Sequence, residues 1–452
     1  MNILQISPYF YPAWAYGGTP RVVFDLCREL VRQEQKVTVY TTDSFDKNAR
    51  VNRAVSDQQS AVSNQQSAIS NQRSAISRQN SAIRNPQSAI GKPETFFYFD
   101  SEVEGVNVRY FRNISNRLAF TQKLFLTPGF SSSLRDILKN TDIVHLQEYR
   151  TLQNVSAWKE CKKMKVPYII SAHGAILRIM GREGRKGLFD WLWGWNILKD
   201  ARKLIALTDL ERRQYKQSGI DGEKIEVVPN GIDLSQFSSL PERGEFRRKY
   251  GLQDEHMILF MGRIHRIKGL DILIDAFAEL RREGIECKLI IAGPDDGFKR
   301  ECGVRIAECG LQQIDLSIGE EMGKREVSRA DVIFTGLVSG EEKISLYVDA
   351  DVTVLPSRFE NFPSVPFESI MCGTPVVVST ACAVAEMIEA AGAGYGVGAE
   401  DKIDLKTKIL HVLTNYDEAR GSVEKGRRLI EEKLNWRTVA ARIAEIYEGC
   451  LR

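Results

Sequence analysis

Two carboxylates frame the most informative stretch of the chain: Pro356-Ser357-Arg358-Phe359-Glu360-Asn361-Phe362-Pro363-Ser364-Val365-Pro366-Phe367-Glu368. The apolar run before it, Val352-Thr353-Val354-Leu355, reads as a strand. Pro366 suits the first turn of a helix, where its missing N–H is not needed. Glu360 then falls on a loop at a strand's C-terminal end, and Glu368 one or two turns into the next helix. Ligands of open α/β sheets bind at that edge. Two carboxylates there can accept from several hydroxyls, and backbone N–H groups between them can face an anion. The ligand they suit carries both sugar hydroxyls and phosphate. A loop glutamate plus a helix-surface glutamate would look the same, so the pair needs a second signal.

That signal lies about a hundred residues earlier, in Met257-Ile258-Leu259-Phe260-Met261-Gly262-Arg263-Ile264-His265-Arg266-Ile267-Lys268-Gly269-Leu270. This is again a strand, a glycine, a short loop and a helix. Arg263 and Lys268 share the loop. Arginine can fork two hydrogen bonds onto a phosphate, and lysine adds a compact charge. The paired strand-loop-helix contexts suggest that the basic and acidic loops share one sheet edge.

Taken in order, Gly262-Arg263…Lys268-Gly269, Pro356-Ser357…Glu360…Glu368 and Met371-Cys372-Gly373-Thr374-Pro375-Val376-Val377 resemble a retaining glycosyltransferase of the GT-B fold, family 4 type. Pro229-Asn230-Gly231-Ile232-Asp233, before Phe237, resembles that family's domain junction. The resemblance implies two Rossmann-like domains facing across a cleft. It also implies sugar transfer from a nucleotide-diphosphate donor to an acceptor hydroxyl, in bacterial-type polysaccharide or glycolipid synthesis. By the same resemblance Arg263 and Lys268 stabilise the departing phosphates, Glu360 holds sugar hydroxyls and Glu368 the ribose. Gly262, Gly336, Asn361 and Phe362 would line the donor site. The family's mechanism is front-face departure and attack, with no covalent nucleophile. No cofactor or metal is expected, because the cationic side chains can carry the phosphate charge. Asp349-Ala350-Asp351 precedes a strand and so lies at the wrong edge for a metal site.

The rest of the chain must build the sheets. Ile3–Ser7, Lys36–Thr42, Val106–Phe111, Asp142–Gln147, Tyr168–His173 and Lys203–Thr208 are strand-like in the first half. Met257–Gly262, Cys287–Gly293, Val332–Gly336, Val352–Ser357 and Pro375–Ser379 are strand-like in the second. Such alternation with helical stretches argues parallel sheets covered on both faces. The expected domains are 1–230 on the acceptor side and 231–436 for the nucleotide sugar. In the resembling family a last helix, here 437–452, crosses back to the first domain. Val439, Ile443, Ile446 and Tyr447 stand at helical spacing there. A low-complexity insertion at about 48–95 contains a seven-residue repeat over 56–90. Each repeat offers about one bulky apolar side chain among Ser, Asn and Gln, too little to offset ordering entropy. A mostly disordered loop is expected there.

In the first domain, Tyr9 to Pro20 is rich in aromatics and contains Gly17-Gly18, where backbone can approach a ligand. Thr19 is expected to cap the next helix, with Pro20 at its first position. The resemblance puts this glycine loop against the donor pyrophosphate or the acceptor. His173 stands at a strand's end before Gly174, and the family has a histidine here that reaches the donor sugar. His145 reads as a structural partner, and His265 carries no assignment. Arg182, Arg185, Lys186, Trp191, Trp193, Trp195, Lys199, Arg202 and Lys203 make 182–203 basic and tryptophan-rich. That suits either peripheral contact with a membrane holding a lipid-linked acceptor, or a packed helix with a solvated basic face. Two departures weaken any acceptor assignment: Glu34-Gln35 stands where the family often has Gly-His, and His145-Leu146-Gln147 where it often has His-x-His.

The bulk numbers exclude other classes. A net charge of +3 and a pI near 8.3 are too mild to argue for nucleic acid. Eight cysteines are scattered without a C-x-x-C pair, so a zinc or redox motif is not expected, and Cys287 and Cys372 read as buried thiols. Met1 to Ile6 reads directly as a first strand rather than a signal peptide, and no apolar run reaches membrane-spanning length. A reducing cytoplasm, with contact at the inner face of the membrane, is the expected setting. An epimerase or phosphorylase on the same architecture remains open. A non-catalytic nucleotide-sugar binder would be expected to lose Arg263, Lys268 or a glutamate. A dinucleotide oxidoreductase would need Gly-x-Gly-x-x-Gly after a strand, which is absent.

Overall fold

The computed structural model describes residues 1–52, 97–176, 183–318 and 327–452; the 56–90 repeat and Arg182 lie outside them. The chain divides into two compact units, Met1–Gly231 together with Trp436–Arg452, and Ile232–Asn435.

The first unit is built on β1 (Asn2–Ile6), β2 (Lys36–Thr42), β3 (Tyr98–Val103), β4 (Val106–Phe111), β5 (Ile143–Gln147), β6 (Tyr168–Ser171), β7 (Lys203–Ala206) and β8 (Ile225–Val227). The order across the sheet is β3-β4-β2-β1-β5-β6-β7-β8, parallel except for β3. Ile3 of β1 enters one apolar cluster, and Leu4 and Ile6 enter another, because successive strand side chains point to opposite faces. Both faces are thus covered, as parallel sheets require. The half-exposed edge strand β3 pairs antiparallel with β4 and carries too few apolar residues to announce itself in the sequence. The helix Trp436–Leu451 buries Val439, Ile443, Ile446 and Tyr447 in the cluster that also holds Val23, Leu26 and Leu30 of the helix Thr19–Arg32.

The second unit contains β9 (His256–Met261), β10 (Cys287–Ala292), β11 (Gln313–Asp315), β12 (Val332–Gly336), β13 (Val352–Leu355), β14 (Val376–Ser379) and β15 (Tyr395–Val397). The sheet is parallel, in the order β11-β12-β10-β9-β13-β14-β15. Ile258 and Phe260 of β9 pack on one face, and Met257, Leu259 and Met261 on the other. From β9 the chain winds outward through β10, and from β13 it winds the opposite way. β9 and β13 therefore flank a switch point, where loops at the carboxyl ends diverge and leave a crevice. In the first sheet β1 and β5 stand in the same relation.

Candidate active site

The basic and acidic loops meet at the switch point of the second sheet. β9 and β13 pair through Val352 with Ile258 and Thr353 with Leu259, so their following loops leave side by side. Gly269 has φ +69°, and a Cβ there would stand 2.1 Å from the Pro356 carbonyl oxygen, so only glycine lets the loops pack this closely. Arg358 staples them further. Its backbone N–H donates to the Ile267 carbonyl at 2.7 Å, and its guanidinium donates to Asp271 at 2.8 and 2.9 Å and to the Arg266 carbonyl at 2.7 Å. The backbone of Glu360 is fixed from its other side, its carbonyl accepting from Ala383 at 2.8 Å.

Within this frame Lys268 and Glu360 form an ion pair, both side chains largely buried. Burial and the nearby Arg263 push the Lys268 ammonium down to about 8. The Glu360 carboxylate against it works the other way and favours the charged form. Arg263 sits on the same loop with its guanidinium on Asp296, and that pair is exposed. Gly262 immediately follows β9, and Gly336 ends β12, its carbonyl accepting from the Gly293 N–H at 2.8 Å.

Glu368 occupies the first turn of the helix Val365–Met371, with Pro366 beside it at the helix start. It meets different partners from Glu360. The Lys343 ammonium lies 2.7 Å from one carboxylate oxygen, the Tyr347 hydroxyl donates to that oxygen at 2.9 Å, and Ser364 donates to the other at 3.0 Å. Burial pushes this carboxyl up, but Lys343, Tyr347 and Ser364 outweigh burial and hold it below its ordinary value. Phe362, between the two glutamates, stacks on Phe367 with ring centroids 5.3 Å apart, and the half-exposed Asn361 precedes it. Sequence reading missed Lys343. It lies 25 positions before Glu368, on another helix, and only the fold brings them together.

Asp349 and Asp351 lie at the opposite edge of the second sheet. Asp349 accepts from the backbone of Arg247, and Asp351 from Met257 and the Arg247 guanidinium. Among the described residues, no group of three or more His, Cys, Asp or Glu side chains is arranged to hold a metal.

The first unit has its own cluster at the β1–β5 switch point. Tyr9 and Tyr16, from the aromatic loop, stack at 4.8 Å. The Tyr9 hydroxyl donates to Glu148, the residue after β5, and the Lys123 ammonium lies 4.8 Å from the Tyr16 ring centroid. Burial pushes the Glu148 carboxyl up, against the pull of Tyr9, Lys123 and Thr19. This corrects the expectation for Thr19. The cap position is Gly18, which has no side chain to make a cap bond; Thr19 is already the first helical residue, and its hydroxyl engages Glu148 and Tyr9. Gly17, with φ +105°, ends the short turn Trp14–Tyr16 before that helix.

His173 lies two residues beyond the end of β6, with φ +50°, a left-handed conformation uncommon for non-glycine residues though histidine is among those that adopt it more readily. Two carboxylates fix the surrounding loop. Glu211 accepts the Gly174 N–H at 2.7 Å, and Asp190 holds Arg150, which donates to the Ile176 carbonyl at 2.9 Å. The ring's Nε2 lies 2.7 Å from Gln147 Oε1, and burial pushes the imidazole down to about 4. His145 is buried between Ser171 and Tyr447, a structural position. Over 183–203, Phe189, Trp193 and Trp195 pack on the core while Leu188 and Trp191 face solvent at 56% and 74% exposure. Among the described residues, no helix is long and apolar enough to cross a membrane.

Residues 242–433 match the family described as Glycosyl transferases group 1, and residues 93–236 match Glycosyltransferase Family 4. An uncharacterized glycosyltransferase of Methanocaldococcus jannaschii is 27% identical over 356 residues, 76% of this chain and 85% of that one. A D-inositol 3-phosphate glycosyltransferase of Kineococcus radiotolerans is 32% identical over 208 residues, and the match spans 45% of each chain. The crystal structure of Anabaena HepE in complex with UDP superposes with a TM-score of 0.68 at 16% identity, covering 99% of this chain and all of the other. The chain belongs to the group 1 glycosyltransferases, family 4 type, and has the GT-B fold.

Proposed function

We propose that this glycosyltransferase moves a sugar from a nucleoside-diphosphate donor to an acceptor hydroxyl with retention at the anomeric carbon and without a metal ion. The observation that carries the reading is the convergence of Arg263, Lys268, Glu360 and Glu368 on the β9–β13 edge. The UDP held by the structurally similar HepE supports a nucleotide-sugar donor. In the proposed reaction the bond from the anomeric carbon to the phosphate oxygen breaks, and its electron pair leaves with the nucleoside diphosphate. Lys268 and Arg263 offer fixed positive charge where that negative charge develops. Glu360 accepts from the donor-sugar hydroxyls and Glu368 from the ribose. His173 contacts the donor sugar near the reacting centre. The acceptor oxygen bonds to the same face of the sugar and gives its proton to the departing phosphate oxygen.

The acceptor in this proposal is a saccharide or a lipid-linked polyol, in polysaccharide or glycolipid synthesis. The inositol phosphate named for the Kineococcus relative supports a polyol acceptor. The exposed Leu188 and Trp191, flanked by Arg185 and Lys199, support peripheral contact with an anionic membrane surface, and the proposed setting is the cytoplasm at the membrane's inner face. The test is turnover of UDP-, GDP- and ADP-sugars with candidate acceptors in EDTA, with the anomeric configuration of the product read by NMR. An inverted product, or a strict need for a divalent ion, overturns the proposed chemistry.

A further inference from the structure

A chain of buried polar side chains joins the last helix to His173, entirely within the first unit. Gln5 Nε2 donates to the Tyr447 hydroxyl oxygen at 3.0 Å, and Gln147 Nε2 donates to Gln5 Oε1 at 2.8 Å. Gln147 Oε1 meets His173 Nε2 at 2.7 Å. On the other branch the Tyr447 hydroxyl meets His145 Nδ1 at 2.7 Å, and His145 Nε2 meets Ser171 Oγ at 2.8 Å. Gln5, His145, Gln147, Ser171 and Tyr447 are all buried, so each donor and acceptor must be matched inside the protein.

With the Gln5 and Gln147 amides turned as they are in the structure, the matching runs in one direction. Each amide has two donors on nitrogen and acceptor lone pairs on oxygen, and a hydroxyl has a single hydrogen. Gln147 spends its nitrogen on Gln5, so it turns only its oxygen toward His173. His173 Nε2 must therefore carry the hydrogen. Gln5 donates to the Tyr447 oxygen, so the tyrosine hydrogen goes to His145 Nδ1, and His145 Nε2–H donates to Ser171. Burial holds both rings neutral at pH 7, pushing His145 down to about 3 and His173 to about 4. With Nε2–H committed to Gln147, the nitrogen that His173 offers a ligand is Nδ1, and it offers a lone pair. A hydroxyl of the donor sugar can donate to it, whereas a phosphate or carbonyl oxygen cannot.

We propose that Gln147 is a positioning residue for His173: it fixes the ring in the Nε2–H form so that Nδ1 accepts from a sugar hydroxyl, and Tyr447 sets the polarity of the chain from its far end. The left-handed backbone at His173 and the Glu211 bond to Gly174 fix where the ring is rooted. Gln147 fixes how the ring is turned. It stands where the resembling family often has the second histidine of His-x-His, so here an amide takes that place. The inference rests on the glycosyl-transfer reading only for the identity of the hydroxyl.

The test reads His173 directly. The chain has five histidines, so ring-15N-labelled protein gives a spectrum that single substitutions can assign. In the wild type, His173 should be the Nε2–H tautomer and stay neutral from pH 8 to pH 5. Gln147→Glu puts a carboxylate against Nε2–H and should raise the His173 titration into that range. Gln147→Met should leave the ring in a mixture of tautomers. If a Gln147 variant fails to fold, Tyr447→Phe gives the same reading from the other end, as a shift of the His145 and His173 ring signals together. Turnover of Gln147→Met should fall by up to about a hundredfold, as for a small misplacement at a reacting centre, with nucleoside-diphosphate affinity kept. The ring signals need no turnover, so they stand or fall apart from the transfer reading. An Nδ1–H ring in the wild type, or a His173 titration unmoved by Gln147→Glu, overturns the proposal.

Discussion

Lys268 and Glu360 are 92 residues apart in the chain and ion-paired in the fold. The cation suited to a departing phosphate and the carboxylate suited to sugar hydroxyls thus hold each other in register. Lys268→Ala should lower turnover by roughly a hundredfold or more, the size of effect expected when a fixed charge is removed from a transition state. Folding should change less. Steady-state rates beside thermal melting of the same variant check both halves.

The same lysine gives a pH dependence. Only its protonated form can stabilise phosphate charge, and burial with Arg263 pushes it down to about 8. The free-enzyme rate constant kcat/KM should therefore fall as pH rises through about 8. Lys268→Arg should move that falling limb upward, because a guanidinium stays charged there. A wild-type profile flat to pH 9.5 contradicts this.

The buried histidines give a second pH effect, on stability. Their folded values lie below the unfolded 6.5, so the unfolded chain binds more protons as pH falls. Their stabilisation is fully present above pH 6.5 and drains away below it. For His145 the loss by pH 5 is on the order of 2 kcal/mol. Glu148, pushed up by burial, opposes it in part. Carboxylates held low, such as Glu368, lose their contribution only further down. Melting midpoints at pH 7.5 and 5 should differ by more in the wild type than in His145→Asn.

The segment 183–203 makes a surface prediction. Leu188 and Trp191 lie on a helical run flanked by Arg185 and Lys199. Vesicles containing anionic lipid should bring the protein down on sedimentation, less so in high salt. The paired change Leu188→Ser with Trp191→Ser should abolish this and leave donor binding intact. Equal sedimentation of wild type and variant contradicts the surface.

Much of this was legible in the sequence, for identifiable reasons. The strands that carry the site, β9 and β13, are short apolar runs followed by Gly262 and Pro356, and such runs announce buried parallel strands. The close approach of the two loops at Gly269 was not legible, because the Pro356 carbonyl it admits lies 87 positions away. The polar β3 escaped notice because an edge strand needs little apolar sequence. Thr19 matched a capping pattern, but the helix starts at Thr19 itself, with Gly18 at the cap, and its hydroxyl meets Tyr9 and Glu148 from the loops after β1 and β5. Lys343, Arg358 and Gln147 escaped for the same reason. Each acts on a residue 20 or more positions away, at 25, 87 and 26 in the contacts with Glu368, Asp271 and His173, and no local pattern encodes such a pair.

The account divides labour between the two glutamates, and calorimetric titration of the nucleoside diphosphate and the intact nucleotide sugar tests that most directly. Glu368, tied to Lys343 and Tyr347, is assigned to the ribose, which both ligands carry. Glu360, paired with Lys268, is assigned to the sugar, which only the intact donor carries. A lost charged hydrogen bond is worth roughly 1.5–3 kcal/mol, about ten- to a hundredfold in affinity. Glu368→Gln should weaken both ligands by that factor. Glu360→Gln should spare the nucleoside diphosphate and weaken the nucleotide sugar. Equal losses for both ligands in both variants would contradict the division of labour.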